Sequence, residues 1–368
     1  MTLVGQRSWW WTWLQVPGVG ISRIRQLEQV FGSLQAAWWA PGEQLLELPG
    51  VGPSLLAGRD QLQLQAAALP LPVPPKVLLP SDLAMPPALM ALPQPPAALF
   101  WAGRGALWPL LRRQQAIAVI GSRRASPYGC CWAQRLGAAL AAAGWPVMSG
   151  LAEGIDAQAH QGCLEAGGTP IAVLGTSLER IYPRHHQQLQ SQVGRRGLLI
   201  SEQAPGTPGL RGAFAKRNRL LVALAQAVVL VECPRRSGAL LAAQIAWSLQ
   251  RPLWVVPADS DRESAVGSNG WLNQGATALL DPAQLVETLG PGPLQTLELP
   301  QPPDPSPLLS ALGAGASFEA LQRRLQLSPG ALAQQLLHHE QQGWIEALPG
   351  LCWRPRHTEI DLPVAQQP

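Results

Sequence analysis

Between residues 97 and 290 the apolar positions follow two alternating periods. Runs of three or four consecutive apolar residues, the pattern of strands buried on both faces, occur at 117–120, 146–148, 171–174, 198–200, 228–231 and 253–256. Segments of helical length separate most of them, among them 128–143, 155–166, 217–225 and 240–249. A strand–helix alternation of this kind predicts an α/β fold, a Rossmann-like, mostly parallel sheet with helices on both faces.

The flanking regions follow other patterns. Residues 1–68 contain an internal echo, "VPGVGISRIRQLEQVFGS" and "LPGVGPSLLAGRDQL". It predicts two helix–turn–helix units of the helix-hairpin-helix or SAM-like kind, whose turn amides suit phosphates. The first copy places Arg23 and Arg25 inside its helix, and the second has no base before Arg59. Two plain helix connections are an equal reading of the same echo. Trp9, Trp10, Trp11, Trp13, Trp38 and Trp39 are read as packing residues.

Near the C-terminus, residues 308–356 predict a helix at 318–325, a turn with Ser328 as cap, a second helix from Pro329 to about Gln342, and a hairpin over 344–353. That is the order of a winged helix. The second helix has no Lys or Arg, which favours a structural or protein-contact role over groove reading. Prolines concentrate in 69–96 and 291–307, read as extended spacers, and 357–368 is read as a tail.

Composition narrows the class. The 368 residues are 47% hydrophobic and 14% charged, which is globular rather than disordered. The N-terminus has no signal-peptide pattern and no apolar stretch is long enough to span a bilayer, so a cytoplasmic protein without membrane contact is expected. The five cysteines and six histidines show no zinc or disulfide spacing, so neither a metal nor a cofactor is expected. Net charge is +4, but residues 81–290 hold 18 basic against 12 acidic residues. A polyanion would therefore bind the central region.

Ligands of parallel sheets bind where strands end and helices begin. Three such junctions are small and polar: Gly121-Ser122-Arg123, Ser149-Gly150 and Ser237-Gly238. "GSRRAS" lacks the further glycines of a dinucleotide fingerprint, no acidic residue ends a second strand, and no Walker loop occurs. Three anion nests on one sheet edge suit a run of phosphates. The segment "GTPGLRGAFAKRNRLLVAL" sets Phe214 among Arg211, Lys216, Arg217 and Arg219, with Asn218 beside them. A stackable ring among cations suits single-stranded nucleic acid, although a core anchor before a solvated helix start accounts for the segment equally well. Glu153, Asp156 and His160 could form an acid–base group, but capping and hydrogen bonding are the commoner uses of such positions.

The strings "AVIGSRRASPYG", "VMSGLAEGIDAQAH", "IAVLGTSLERIYPRHHQQL", "LLISEQAPGTPGL", "FAKRNRLLVALAQAVVLVE" and "GWLNQGATAL" together resemble the DNA-processing family DprA, also called Smf. The resemblance covers the central region in order and extends to the architecture of both ends. It implies a non-enzymatic protein that binds and protects incoming single-stranded DNA during natural transformation, loads the RecA recombinase, and forms homodimers through the Rossmann-like region. It places DNA contacts on Gly121, Ser122 and Arg123, on Arg211 and Phe214, and on Lys216, Arg217 and Asn218. Three positions depart from the family pattern: Glu153 stands where relatives often carry Arg, and Ala239 and Ala242 stand where they often carry hydroxyls. Two other readings remain: a LOG-type nucleotide phosphoribohydrolase, for which "CPRRSGALLAAQ" lacks the glycine pair and the glutamate, and a protein-interaction scaffold.

Overall fold

The six apolar runs all form strands, and their pairing fixes the architecture. The computed structural model describes residues 3–209, 211–295, 306–341, 344–348 and 351–355. These fall into two units, Met1–Gln295 and Thr296–Pro368.

In the first unit nine strands make one sheet among the described residues. They are β1 (Val77–Leu78), β2 (Leu99–Gly103), β3 (Ile117–Ile120), β4 (Val147–Ser149), β5 (Pro170–Leu174), β6 (Leu198–Ser201), β7 (Ala227–Leu230), β8 (Leu253–Val255) and β9 (Thr277–Ala278). Their order across the sheet is β1-β2-β6-β5-β4-β3-β7-β8-β9. From β6 to β9 every neighbour is parallel, whereas β1 and β2 are antiparallel additions at one edge. The central strand β3 is buried at all four positions, with Ile117 paired to Val147 on one side and Ala227 on the other. Helices Pro127–Ala142, Ile155–Glu165, Arg211–Leu224 and Gly238–Ser248 supply the crossovers. The expected mixed, mostly parallel α/β sheet is the observed fold.

After β3 the chain builds outward through β4, β5 and β6, then returns by helix Arg211–Leu224 to lay β7 on the other side of β3. The loops leaving β3 and β7 must therefore diverge, which leaves a crevice at the carboxyl ends of these two strands.

The segment 69–96 corrects an expectation. Read as an extended spacer, it instead contributes β1, a short helix Pro87–Met90 and the fully buried Leu79 and Leu89. Pro87 starts the helix turn, a position that tolerates a missing N–H, and Pro74 and Pro75 precede the edge strand without entering it. Nor do residues 1–68 stand apart. Trp9, Trp10, Trp13 and Trp38 are buried in a cluster that also takes in Val77, Leu79 and Phe100 of the sheet edge. Trp10 Nε1 donates to the carbonyl of Ala97 at 3.0 Å, and Arg7 pairs with Asp82 at 2.6 Å.

The two P-G-V-G turns are stitched to each other. Gly18 and Gly50 sit at positive φ, as such turns require, and the Arg23 guanidinium donates to the carbonyls of Pro49 and Gly50. Arg59 is buried and donates to Ala40 O at 2.9 Å. Two of the three arginines near these turns therefore serve the helical bundle, while Arg25 is exposed.

The second unit is a small helical body with a wing. Helices Pro307–Leu312, Phe318–Leu325 and Pro329–Gln341 surround Leu308, Leu312, Leu321, Leu332, Leu336 and Ile345. Strands β10 (Ala316–Ser317), β11 (Ile345–Leu348) and β12 (Cys352–Pro355) form an antiparallel sheet in the order β10-β12-β11. Ser328 Oγ accepts from Ala331 N at 3.3 Å, the cap foreseen for the second helix. The hairpin tip at 349–350, the tail at 357–368 and most of the spacer 291–307 lie outside the described residues.

The packed role of 69–96 is testable. Leu89→Ala should cost about 2–5 kcal/mol, the range for emptying a fully buried leucine site, measured by urea unfolding followed through tryptophan fluorescence. A loss below about 0.5 kcal/mol is what a spacer would give.

Candidate functional site

The crevice between the β3 and β7 ends is a cleft of about 860 Å³, lined from three directions. One wall is the turn after β3, with Gly121, Ser122, Arg123 and Arg124; the second is the loop after β7, with Pro234, Arg236, Ser237 and Gly238. The third is the first half of helix Arg211–Leu224, with Phe214, Ala215, Arg217 and Asn218. The two loops are tied at their roots, where Ser122 N donates to Glu232 O at 2.7 Å and Val231 N to Ile120 O at 3.0 Å.

Arg123 and Arg124 are exposed at the first wall. Ser122 is buried, and its hydroxyl accepts from Arg124 N at 3.1 Å, so it shapes the turn. The Arg123 guanidinium lies 5.0 Å from the centroid of Phe214 and 5.9 Å from that of Tyr182. The two rings are 4.8 Å apart, and Tyr182 remains 46% exposed, so this cation–aromatic group keeps ring surface open to a ligand. Close approach of the Phe214 ring is possible because residue 175 is glycine: a Cβ there would sit 2.6 Å from Phe214 Cδ1.

Arg217 behaves differently from its neighbours. It is buried, donates from Nη1 to Val173 O at 2.5 Å, and packs onto Gly150, where a Cβ would collide with the guanidinium. On the same stretch Gly150 N donates to Asp156 Oδ2 at 3.1 Å and Ala152 N to the same oxygen at 3.4 Å. Asp156 and Arg217 are thus two buried, mutually compensating charges with the Gly150 backbone at their junction. Burial pushes the Asp156 carboxyl above the ordinary aspartate range against the pull of Arg217, and pushes Arg217 below the usual arginine range against the pull of Asp156.

The Ser149-Gly150 junction therefore drops out of the cleft. Ser149 is fully buried with its hydroxyl donating to Val119 O at 2.6 Å, and Gly150 is covered by Arg217. The expectation of three exposed nests is corrected to two, because the loop after β4 is filled by the Asp156–Arg217 pair. The acid–base reading of Glu153, Asp156 and His160 fails on the same burial. His160 is fully buried, and burial with Arg217 nearby lowers its pKa to about 3, which leaves it neutral. Glu153 is exposed, 3.7 Å from His185 Nε2.

The remaining expected residues divide between cleft and scaffold. Asn218 lines the cleft and donates to Gly238 O at 3.1 Å, joining the second and third walls. Ser237 caps helix Gly238–Ser248, its hydroxyl accepting from Ala239 N at 3.2 Å. Lys216 is half exposed and lies 3.8 Å from Glu202, which Arg219 also holds at 2.6 Å. Arg211 opens its helix, but its side chain lies outside the described atoms. Arg124, Arg236 and Tyr182 were missed in the sequence. The doubled arginines of "SRRAS" and "PRRSG" flank two of the chosen junctions and could have shown the first two; Tyr182 joins only through the fold. No group of three His, Cys, Asp or Glu suited to a metal occurs among the described residues. No helix there is long and apolar enough to cross a membrane.

Fold and site together define a doubly wound α/β protein with an arginine-lined, aromatic-floored cleft at its switch point, carrying a separate winged-helix unit. The chain belongs to the DNA recombination-mediator protein A family, whose family model matches residues 76–290, and residues 292–350 match the DprA winged helix domain. Protein Smf of a Synechocystis species is 35% identical over 294 residues, 78% of this chain and 74% of that protein. Protein Smf of Escherichia coli is 34% identical over 287 residues, 74% and 76% of the two chains. Among solved structures, DNA processing protein A of Streptococcus pneumoniae shares the fold, with a TM-score of 0.62 at 23% identity over 75% of this chain and 95% of its own. That of Helicobacter pylori, solved for its single-stranded DNA binding mode, has a TM-score of 0.51 at 32% identity over 56% of this chain and 92% of its own.

The buried charge pair gives a prediction. Asp156→Asn leaves the buried Arg217 guanidinium without its nearby counter-charge and removes the carboxylate acceptor of Gly150 N and Ala152 N, and should lower the midpoint in urea unfolding by an amount equivalent to about 1–3 kcal/mol. A midpoint equal to wild type would show that the two charges do not depend on each other.

Proposed function

We propose that this protein binds single-stranded DNA along the switch-point cleft without acting as an enzyme, and passes the strand to RecA during natural transformation. The observation that carries the reading is the grouping of exposed Arg123 and Arg124 with Phe214 and Tyr182 at one rim and Arg236 at the other. Several cations spread over an open cleft suit successive phosphates, and rings beside them suit an unpaired base. Gly121, Ser122, Ser237, Gly238 and Asn218 shape the walls on which these groups sit, and half-exposed Lys216 lies on the helix that carries Phe214. The Helicobacter pylori relative, solved for its single-stranded DNA binding mode, supports the same ligand class. RecA as partner and cytoplasmic action rest on family membership.

A homodimer through the α/β unit is supported by an apolar surface. Helix Gly238–Ser248 leaves Leu241 38% and Trp247 49% exposed, with Trp271 5.9 Å from Trp247. Large apolar side chains exposed together commonly mark a contact face.

For the hydrolase alternative, Glu202 on the crossover to the Phe214 helix is a candidate acid, but it is not free. Glu202 is held by Arg219 and Lys216, outside the residues that line the cleft.

Two variants test the cleft. Arg123→Ala should weaken binding of an oligothymidylate and lower the slope of log affinity against log salt by about 0.7 for each phosphate that Arg123 neutralises. Phe214→Ala should weaken binding by about 1–3 kcal/mol with the slope preserved. Unchanged affinity in both variants removes the cleft as the DNA site. For the dimer, Trp247→Arg should shift the mass measured by light scattering from dimer to monomer, and a wild-type monomer would refute that part.

A further inference from the structure

Helix Pro127–Ala142, the one that follows the first parallel strand, begins at an anion site that is already filled. Sixteen residues long and starting just after the Gly121–Arg123 turn, it stands where a doubly wound fold usually presents amides to a nucleotide phosphate. Here a carboxylate of the chain itself takes that position. Glu232, two residues beyond β7, is 1% exposed, and its Oε2 accepts from Ser126 Oγ at 2.8 Å and Ser126 N at 3.1 Å. Ser126 is the cap of the helix, with Oγ accepting from Gly129 N at 3.2 Å. Gly129 makes room for the acid: a Cβ there would collide with Oε2. The arrangement is a capping box closed from a strand over 100 residues away rather than from the helix's own third residue. The other oxygen, Oε1, is buried with no hydrogen-bond partner. For capping alone, a neutral acceptor would do, and a buried carboxylate with a lone oxygen is costly unless its charge is used. At a helix start, that charge meets the positive end of the dipole.

We infer that Glu232 is a resident anion that closes the first helix start to free phosphate, which leaves strand phosphates to the arginine side chains of the cleft rim. This deepens the reading of the cleft as a strand-binding site and rests on it for its purpose. Its physical content, an anion position occupied by the chain's own carboxylate, stands apart from DNA. The same carboxylate explains why the turn after β3 can dispense with further glycines: no diphosphate has to approach that backbone.

The test uses the full chain, two variants and small anions. Glu232→Ala empties the position, and Glu232→Gln fills it with a neutral group of the same shape. In Glu232→Ala the thermal midpoint should rise by several degrees with millimolar formate or inorganic phosphate, at fixed ionic strength against chloride. Wild type and Glu232→Gln should respond to neither anion. AMP, titrated by nuclear magnetic resonance, should bind Glu232→Ala at least tenfold more tightly than wild type. If Glu232→Ala folds poorly, the yield of folded protein on refolding in formate against chloride becomes the readout, and a gain in formate supports the inference. A Glu232→Ala chain indifferent to formate and phosphate in both midpoint and yield overturns it, as does AMP binding to wild type as tightly as to the variant. Oligothymidylate binding by wild type is measured beside these. Its absence would refute the strand-binding reading while leaving the anion response to decide the role of Glu232.

Discussion

The placement of β7 beside β3 governs everything at this site. With β3 hydrogen-bonded to β4 on one side and β7 on the other, the chain leaves the sheet centre in opposite directions, and no loop can cover the gap between the two strand ends. Backbone bonds between Ser122 and Glu232 and between Val231 and Ile120 hold the strands together just below that gap. The cleft is thus rooted in buried parallel pairing, while its rim is made of side chains from three separate crossovers.

Within that frame, burial decides which arginine does what. Arg217 and Arg219 lie on the same helix as Phe214 and share its sequence neighbourhood, yet both point into the protein: Arg217 onto Val173 and the Gly150 backbone, Arg219 onto Gln94 and Glu202. Arg123, Arg124 and Arg236 keep exposed positions at the cleft. A guanidinium donor already spent on a buried carbonyl or carboxylate is not available to a phosphate, since exchanging it would leave that partner unpaired; this holds for Arg217 Nη1 and for Arg219, while Arg217 Nε has no partner. The basic composition of "FAKRNR" therefore overstates its ligand capacity; two of its three basic residues, Arg217 and Arg219, are bonded internally and fix the helix carrying Phe214.

The sheet was legible in the sequence because strands buried on both faces read as uninterrupted apolar runs, and all six were placed to within a residue. Strands β1 and β9, two residues each, and β2, where only two of five positions are buried, also lie in apolar runs, at 77–79, 278–280 and 97–102, but stand outside the strand–helix alternation that marked the other six. The segment 69–96 misled for a related reason: proline density indicates extended backbone, which serves an edge strand as well as a spacer. At the site, Arg123 and Phe214 were legible as a charge on a turn and a ring among charges. Ser149 and Gly150 were not separable from them, since a small polar pair after a strand is the same string whether its amides face a ligand or an aspartate. Arg23 failed likewise, because the second turn that engages it lies 26 residues away.

The departures from the family pattern acquire physical meaning once placed. Ala239 and Ala242 both line the cleft at the start of helix Gly238–Ser248, so this wall offers methyl groups where hydroxyls were anticipated, and Ser237 spends its oxygen on Ala239 N. Polar recognition on that side then falls to Arg236 and to the helix's own positive end. Glu153, exposed and 3.7 Å from His185, replaces an expected positive charge beside the β3 turn, where Gly154 is pressed against the carbonyls of Ser122 and Arg123. These changes remove hydroxyls or positive charge around the cleft and leave the Arg123 guanidinium, over Phe214 and Tyr182, as its exposed cation–aromatic group.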